Sequence, residues 1–406
     1  MSTLIIDRID LFTPGATVES PGDQPSEIEF TVDLGDSGDY VWVSSSGAAS
    51  MALGTDGLNY NAGAESPGDV DVELAGVESF LLFGTAADDS LHADGSGNTG
   101  APATMMVQMV GDDGKDVFVG GSGPDYFAGE SGNDVFEGGP GNDRMRFYAT
   151  SGVQVDLDAG TATGEGSDVM SEVEEVVGTP GNDVIRGTAG ADTLYGQEGD
   201  DVLEGRGGSD WLDGGDGADR ASYASAPSYV WVDLAVPGPQ DTHGAGSDVL
   251  ESIEGLVGSA FSDILSGTSG PDHLEGGPFR DTLVPRAGDD TVDGGSGKDL
   301  LLYEGAEAVT VNLVAGRATG QGDDRLSSIE SVQGTDGDDT FIASAGSNIF
   351  EGGAGFDTLS YARAGGGVTV DLAVAGAQAT GGSGSDALAG VEKLIGSRFG
   401  DRRRRA

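Results

Sequence analysis

A nine-residue period constrains this chain more than any other feature. Residues 120–146 divide into GGSGPDYFA, GESGNDVFE and GGPGNDRMR, with glycine at places one and four in most copies, aspartate at place six and an apolar residue at place eight. The same frame runs through four blocks, 111–146, 178–222, 258–302 and 334–360, which together hold seventeen units. Place six is Asp in sixteen of them: Asp116, Asp125, Asp134, Asp143, Asp183, Asp192, Asp201, Asp210, Asp219, Asp263, Asp272, Asp281, Asp290, Asp299, Asp339 and Asp357. The seventeenth residue is Asn348, still an oxygen donor. Place eight is apolar in every unit, and place four departs from glycine only at Phe261 and Phe279. Three positions locked over this many copies signal a solenoid, in which each unit packs on its neighbours, rather than a globular core.

The segments between blocks repeat as well. Each opens with an alternating strand, at Val153–Leu157, Val230–Leu234, Val309–Leu313 and Val368–Leu372. Each then carries one further nonapeptide, at 163–171, 243–251, 319–327 and 381–389, whose place-six residues are Asp168, Asp248, Asp324 and Asp386. Six residues follow (EVEEVV, SIEGLV, SIESVQ and GVEKLI) before the frame resumes. Glu174, Glu254, Glu330 and Glu392 stand six residues after these aspartates every time, either on the polar face of the six-residue strand or as further oxygen ligands. Residues 84–110 keep the nine-residue step in decayed form, with Asp89 its clearest survivor. The chain therefore divides into a degenerate, strand-rich region at 1–83, the repeat region at 84–401, and a basic tail at 402–406.

The period explains itself physically. Glycine at places one and four accepts the positive φ that a tight six-residue turn demands. The remaining three residues are too few for a helix and suit a short strand, in which place eight points inward and places seven and nine outward. Two units then make a coil of ~18 residues, with a turn on either side and two parallel sheets enclosing a thin apolar layer. The expected fold class is all-β, a parallel β-roll or β-helix solenoid. Stacked turns present backbone carbonyls and one carboxylate per level, and such a column of acids repels itself unless a cation lies within it. Several oxygen ligands in flexible geometry suit Ca²⁺ better than the smaller, more rigidly octahedral Mg²⁺. A site made of turns i and i+2 gives about nine complete sites over the four blocks, and more if the spacer units contribute.

Composition agrees. Acids outnumber bases 70 to 19, for a formal charge of −51, and self-repulsion of that size opposes a compact state unless counterions bind. Such a surface repels nucleic acid and anionic membranes alike. No stretch approaches the ~18 apolar residues of a membrane helix, and the first residues lack the basic and apolar regions of a signal peptide. Cysteine is absent, which excludes disulfides and thiolate metal sites. His92, His243 and His273 are scattered and form no metalloprotease motif. Trp42, Trp211 and Trp231 read as packing residues, and the doubled acids at Asp200, Asp289 and Asp338 as solvated neighbours of the place-six aspartates. Phe261, Phe279 and Pro285 make the third block the least regular in prospect.

Residues 352–360, GGAGFDTLS, match G-G-x-G-x-D-x-U-x at every fixed place. The chain over about 84–401 thus resembles the repeats-in-toxin (RTX, hemolysin-type calcium-binding) proteins. The resemblance implies calcium held between successive turns on one side of a β-roll. It also implies a secreted, extracellular bacterial protein, exported by a type I secretion machinery and folding outside the cell. Two function classes follow. One is a non-catalytic calcium-binding protein with a structural, adhesive or matrix role toward a cell-surface or matrix partner. The other is the secretion and folding module of an enzyme or toxin whose catalytic domain lies elsewhere.

Overall fold

A computed structural model describes residues 81–84, 88–95, 101–374 and 376–402, together with the backbones of 79–80, of 403–404 and of short strands between 17 and 75. The stretches of 1–78 between those strands, the side chain of Trp42, and Arg405 and Ala406 lie outside the described residues. The described elements are β-strands, mostly of three to six residues, joined by turns; no described helix is long and apolar enough to cross a membrane. Two compact units divide the chain, Met1–Leu203 and Glu204–Ala406.

In the first unit, strands three residues long recur where places seven to nine fall. Ser90–His92, Val117–Val119, Val135–Glu137 and Ser167–Ser171 pair in parallel, so that Leu91, Phe118, Phe136 and Met170 stand in line. Met106–Val110, Tyr126–Ala128, Arg144–Arg146, Glu175–Val177 and Thr193–Glu198 form a second parallel series, aligning Met109, Phe127, Met145, Val176 and Leu194. Val117 pairs with Val135 and Tyr126 with Arg144, each eighteen residues on, as two units per coil require. Place eight points inward in all seventeen units, none of these side chains being more than 2% exposed. The rings of Phe118 and Phe136 stack at 4.7 Å, and Phe127 meets Phe136 edge-on at 6.0 Å.

The spacer strands continue these sheets through a hairpin. Gln154–Asp156 runs antiparallel to Thr161–Thr163, which runs antiparallel to Ser167–Ser171; Gln154–Asp156 then pairs in parallel with Val184–Arg186. The second unit has three such hairpins. Those at 230–251 and 368–389 join the series Ile264–Ser266, Thr282–Val284, Leu300–Leu302, Ser331–Gln333, Ile349–Glu351 and Gly384–Ala389. The one at 309–327 joins the opposite series, between Thr291–Asp293 and Thr340–Ile342. The hairpins alternate faces because an odd number of units separates them, five and then three.

Several details depart from expectation. Arg402–Arg404 do not trail as a solvated tail; they pair in parallel with Thr369–Asp371. Trp211 and Trp231 are exposed, at 39% and 52%, because both hold outward-facing strand positions. In the third block the strands keep their register, and the irregularity is confined to the turns. Phe279 takes φ +79° and projects into solvent, while Pro278–Phe279 pairs with Ser296–Gly297.

Candidate metal centre

Every place-six residue named above is buried, the spacer aspartates included. The turns stack so that within a column a carboxylate receives the backbone N–H of its counterpart one coil earlier, while Asp125, Asp183, Asp263 and Asp339 accept instead from Val107, Val153, Val230 and Val309. Asp89 N–H donates to Asp116 Oδ1 at 2.7 Å, Asp116 to Asp134 at 2.9 Å and Asp134 to Asp168 at 3.1 Å. On the other side Asp125 donates to Asp143 at 2.8 Å; beyond the spacer, on the first side again, Asp183 donates to Asp201 at 2.7 Å. The second unit repeats this from Asp263 to Asp281 to Asp299, from Asp272 to Asp290 to Asp324, and from Asp339 to Asp357. Asp210 and Asn348 donate likewise to Asp248 and Asp386. Asp192 and Asp219 are buried in turns of the same frame.

Sequence reasoning missed how each column ends. Glu174 Oε2 accepts the N–H of Asp143 at 3.0 Å, and Glu254, Glu330 and Glu392 do the same for Asp219, Asp299 and Asp357. These glutamates stand where the next aspartate would be, the longer side chain reaching across the missing turn. Their invariant offset from the spacer aspartate was the available signal. The place-five residues form an outer ladder of the same kind: Asp289 and Asp338 are not merely solvated but accept the N–H of Asp323 and Phe356, both at 2.9 Å.

Two kinds of turn occur, and the residue at place two decides which. In seven units its N–H points at the aspartate (or asparagine) of its own turn: Gly121 donates to Asp125 at 2.6 Å, as do Thr179, Thr188, Ser259, Thr268 and Thr335 to theirs, and Ser344 donates to Asn348 at 3.2 Å. Six of these residues add a hydroxyl bond, for example Ser259 Oγ to Asp263 Oδ1 at 2.7 Å. They open each block after the first. In the other ten units place two is left-handed, at Asp112, Glu130, Gly139, Gln197, Arg206, Gly215, Gly277, Arg286, Gly295 and Gly353, with φ from 60° to 98°. That rotation turns the N–H away. In consequence the Oδ2 atoms of Asp116, Asp143, Asp281, Asp290, Asp299 and Asp357 are buried with no hydrogen-bond partner.

Orphaned carboxylate oxygens in these six turns are a strong requirement for a cation. Burial pushes Asp116, Asp125, Asp281 and Asp290 up to about 7, and Asp134, Asp143 and Asp299 up to about 6, with neighbouring carboxylates adding to the effect. The glycines leave the cradle open. A Cβ on Gly111 would fall 2.1 Å from Asp116 Oδ2, and one on Gly132 would fall 1.8 Å from the carbonyl oxygen of Gly114 in the turn beneath. Carboxylate and carbonyl oxygens without nitrogen or sulfur donors are the set that suits a hard divalent cation.

The family model for the RTX calcium-binding nonapeptide repeat matches at residues 110–145, 177–212, 198–222, 257–283, 266–301 and 319–359. RTX calcium-binding nonapeptide repeats are thus found across residues 110–359, in stretches separated by unmatched spacer segments. The last RTX match begins at the spacer nonapeptide 319–327, so that spacer unit is itself part of the repeat. Comparison with curated proteins finds no match.

Proposed function

We propose that this protein is a non-catalytic, extracellular calcium-binding β-roll whose fold is completed by calcium and which serves a structural, adhesive or matrix role. The buried, unpartnered Oδ2 atoms of Asp116, Asp143, Asp281, Asp290, Asp299 and Asp357, all in left-handed turns, carry this reading. The aspartates of those turns (Asp116, Asp134, Asp143, Asp201, Asp210, Asp219, Asp281, Asp290, Asp299 and Asp357) would supply the charged oxygens, and the carbonyls of adjacent turns the neutral ones. The hydroxyl-held turns of Asp183, Asp192, Asp263, Asp272, Asp339 and Asn348, with that of Asp125, would form the wall on which each column begins. Nine of the ten left-handed turns are the third or later unit of their block, which is the position at which a turn first has another repeat beneath it.

Calcium would supply the positive charge that keeps these buried carboxylates ionised. The chain's residues do the rest: they bury the oxygens, fix one carboxylate oxygen by a backbone N–H, and hold the other toward the turn. Since the site exists only in the folded state, binding stabilises that state. Extracellular calcium modules work at 10⁻⁴–10⁻³ M, a range met outside cells.

Calorimetric titration of the full chain at pH 7.5 tests the reading. Roughly nine or more calcium ions should bind, with magnesium unable to displace them at equal concentration. No heat of binding at millimolar calcium, or equal binding of magnesium, would overturn it.

A further inference from the structure

Aromatic residues converge on one edge of the second unit without serving its core. In the hairpin at 230–251, Trp231 stands where the other three hairpins have Gln154, Thr310 and Thr369. Tyr229 stands where they have glycine or alanine, and His243 where they have threonine or glycine. Tyr229 and Trp231 both lie against His243, with ring centroids 5.3 and 6.1 Å from it, and both are about half exposed.

The two phenylalanines that replace a place-four glycine stand above this cluster. Val230 N–H donates to Asp263 Oδ1 at 2.7 Å, and Asp263 N–H to Asp281 Oδ1 at 2.8 Å. The turn of Tyr229 is therefore one rung below that of Phe261 and two below that of Phe279. At a rise of ~4.8 Å per rung, the five rings share an edge about 10 Å tall. Phe261 and Phe279 are exposed, at 41% and 62%. Phe279 also takes φ +79°, a left-handed backbone that glycine adopts freely and a bulky residue only under strain. Neither packing nor backbone preference accounts for a phenylalanine there. Polar groups flank the rings. Arg280, beside Phe279, is exposed, and the exposed Asp241 carboxylate accepts the His243 N–H at 2.9 Å.

We propose that this edge binds a neutral polysaccharide, its rings stacking on the apolar faces of successive sugars while Arg280 and Asp241 bond hydroxyls. This rests on the adhesive reading above and names its partner. An anionic polymer is repelled by the −51 charge, and a membrane would strip water from Arg280 and Asp241. A second protein chain needs about 20–30 residues a side for a stable interface, and five rings fall short of that. A small ligand needs a concave pocket that buries most of its surface, whereas these rings stand open. A sugar chain is uncharged, carries apolar faces edged by hydroxyls, and can run along an open ridge.

Affinity electrophoresis of the full chain in millimolar calcium tests this, with native gels holding hydroxyethyl cellulose, galactomannan or dextran, and alginate as the anionic control. At least one neutral gel should retard the parent, and alginate should not. Trp231→Thr, which copies Thr310, should raise the apparent Kd about tenfold. Phe279→Gly should weaken retardation too, yet melt no lower than the parent, because the strain is relieved. Phe356→Asn, at an exposed position in a turn of the opposite series, should bind as the parent does. No retardation by any neutral gel, equal retardation by alginate, or an equal loss in Phe356→Asn would overturn the inference. So would binding to phosphatidylcholine vesicles, or dimerisation, that Trp231→Thr abolishes. An unretarded parent that still binds calcium by calorimetry would leave the calcium reading intact, whereas a retarded parent that binds none would overturn that reading alone.

Discussion

Acid should partly replace calcium. The carboxyls raised above the ordinary 3.8 are protonated more readily in the folded, calcium-free chain than in the unfolded one. Their contribution to the calcium-free fold is therefore fully present below about pH 4 and is lost as pH rises through about 6 to 7. A shift of three units corresponds to ~4 kcal/mol before screening, and solvent reaching the turns reduces this to ~1 kcal/mol per group. Asp116, Asp125, Asp134 and Asp143 in the first unit then sum to ~4 kcal/mol between pH 5 and pH 8, against a net stability of ~5–15 kcal/mol for a domain. At ~2–4 °C per kcal/mol for a unit of this size, the melting temperature in calcium-stripped buffer should fall by ~10 °C over that range. Far-UV circular dichroism melts at pH 5.5, 6.5, 7.5 and 8.5 would measure it. In saturating calcium the trend should vanish or reverse, because protons then compete with the cation. A calcium-free melting temperature that is flat or rises with pH would refute the reasoning.

Core and turn variants separate packing from ion binding. Phe136→Ala removes a ring stacked on Phe118 at 4.7 Å, and should destabilise the fold by ~3–5 kcal/mol in chemical denaturation with calcium present. Thr335→Val deletes a hydroxyl that bonds Asp339 Oδ1 at 3.1 Å and accepts the N–H of Gly337 at 3.0 Å; it should cost ~1–2 kcal/mol with the number of bound ions unchanged.

The nine-residue frame made much of this legible in the sequence. Place eight had to face inward because a three-residue strand offers only one inward position, and Phe118, Leu265 and Phe341 are all buried there. The eighteen-residue pairing followed from the same period. What stayed hidden depends on contacts between distant residues. Glu174 reads as a strand residue until its carboxylate is seen on the Asp143 amide, thirty-one positions away. Tyr303 reads as one more aromatic until its hydroxyl is seen on Asp324. The threonine or serine at place two of each opening pair is visible in the sequence, but its meaning needs the backbone rotation that separates Thr335 from Gly353. Arg402–Arg404 escaped because four consecutive arginines carry no apolar alternation, and main-chain pairing with Thr369–Asp371 does not require it.

The central claim, that buried carboxylate columns make this fold depend on calcium, is tested most directly by far-UV circular dichroism of the full chain at pH 7.5 during a calcium titration from stripped buffer. The account predicts a reduced β signal and a low melting temperature at the start, and a cooperative gain of β signal and of melting temperature with a midpoint near 10⁻⁴–10⁻³ M calcium. A complete β spectrum before calcium is added, with a melting temperature that calcium does not raise, would contradict it.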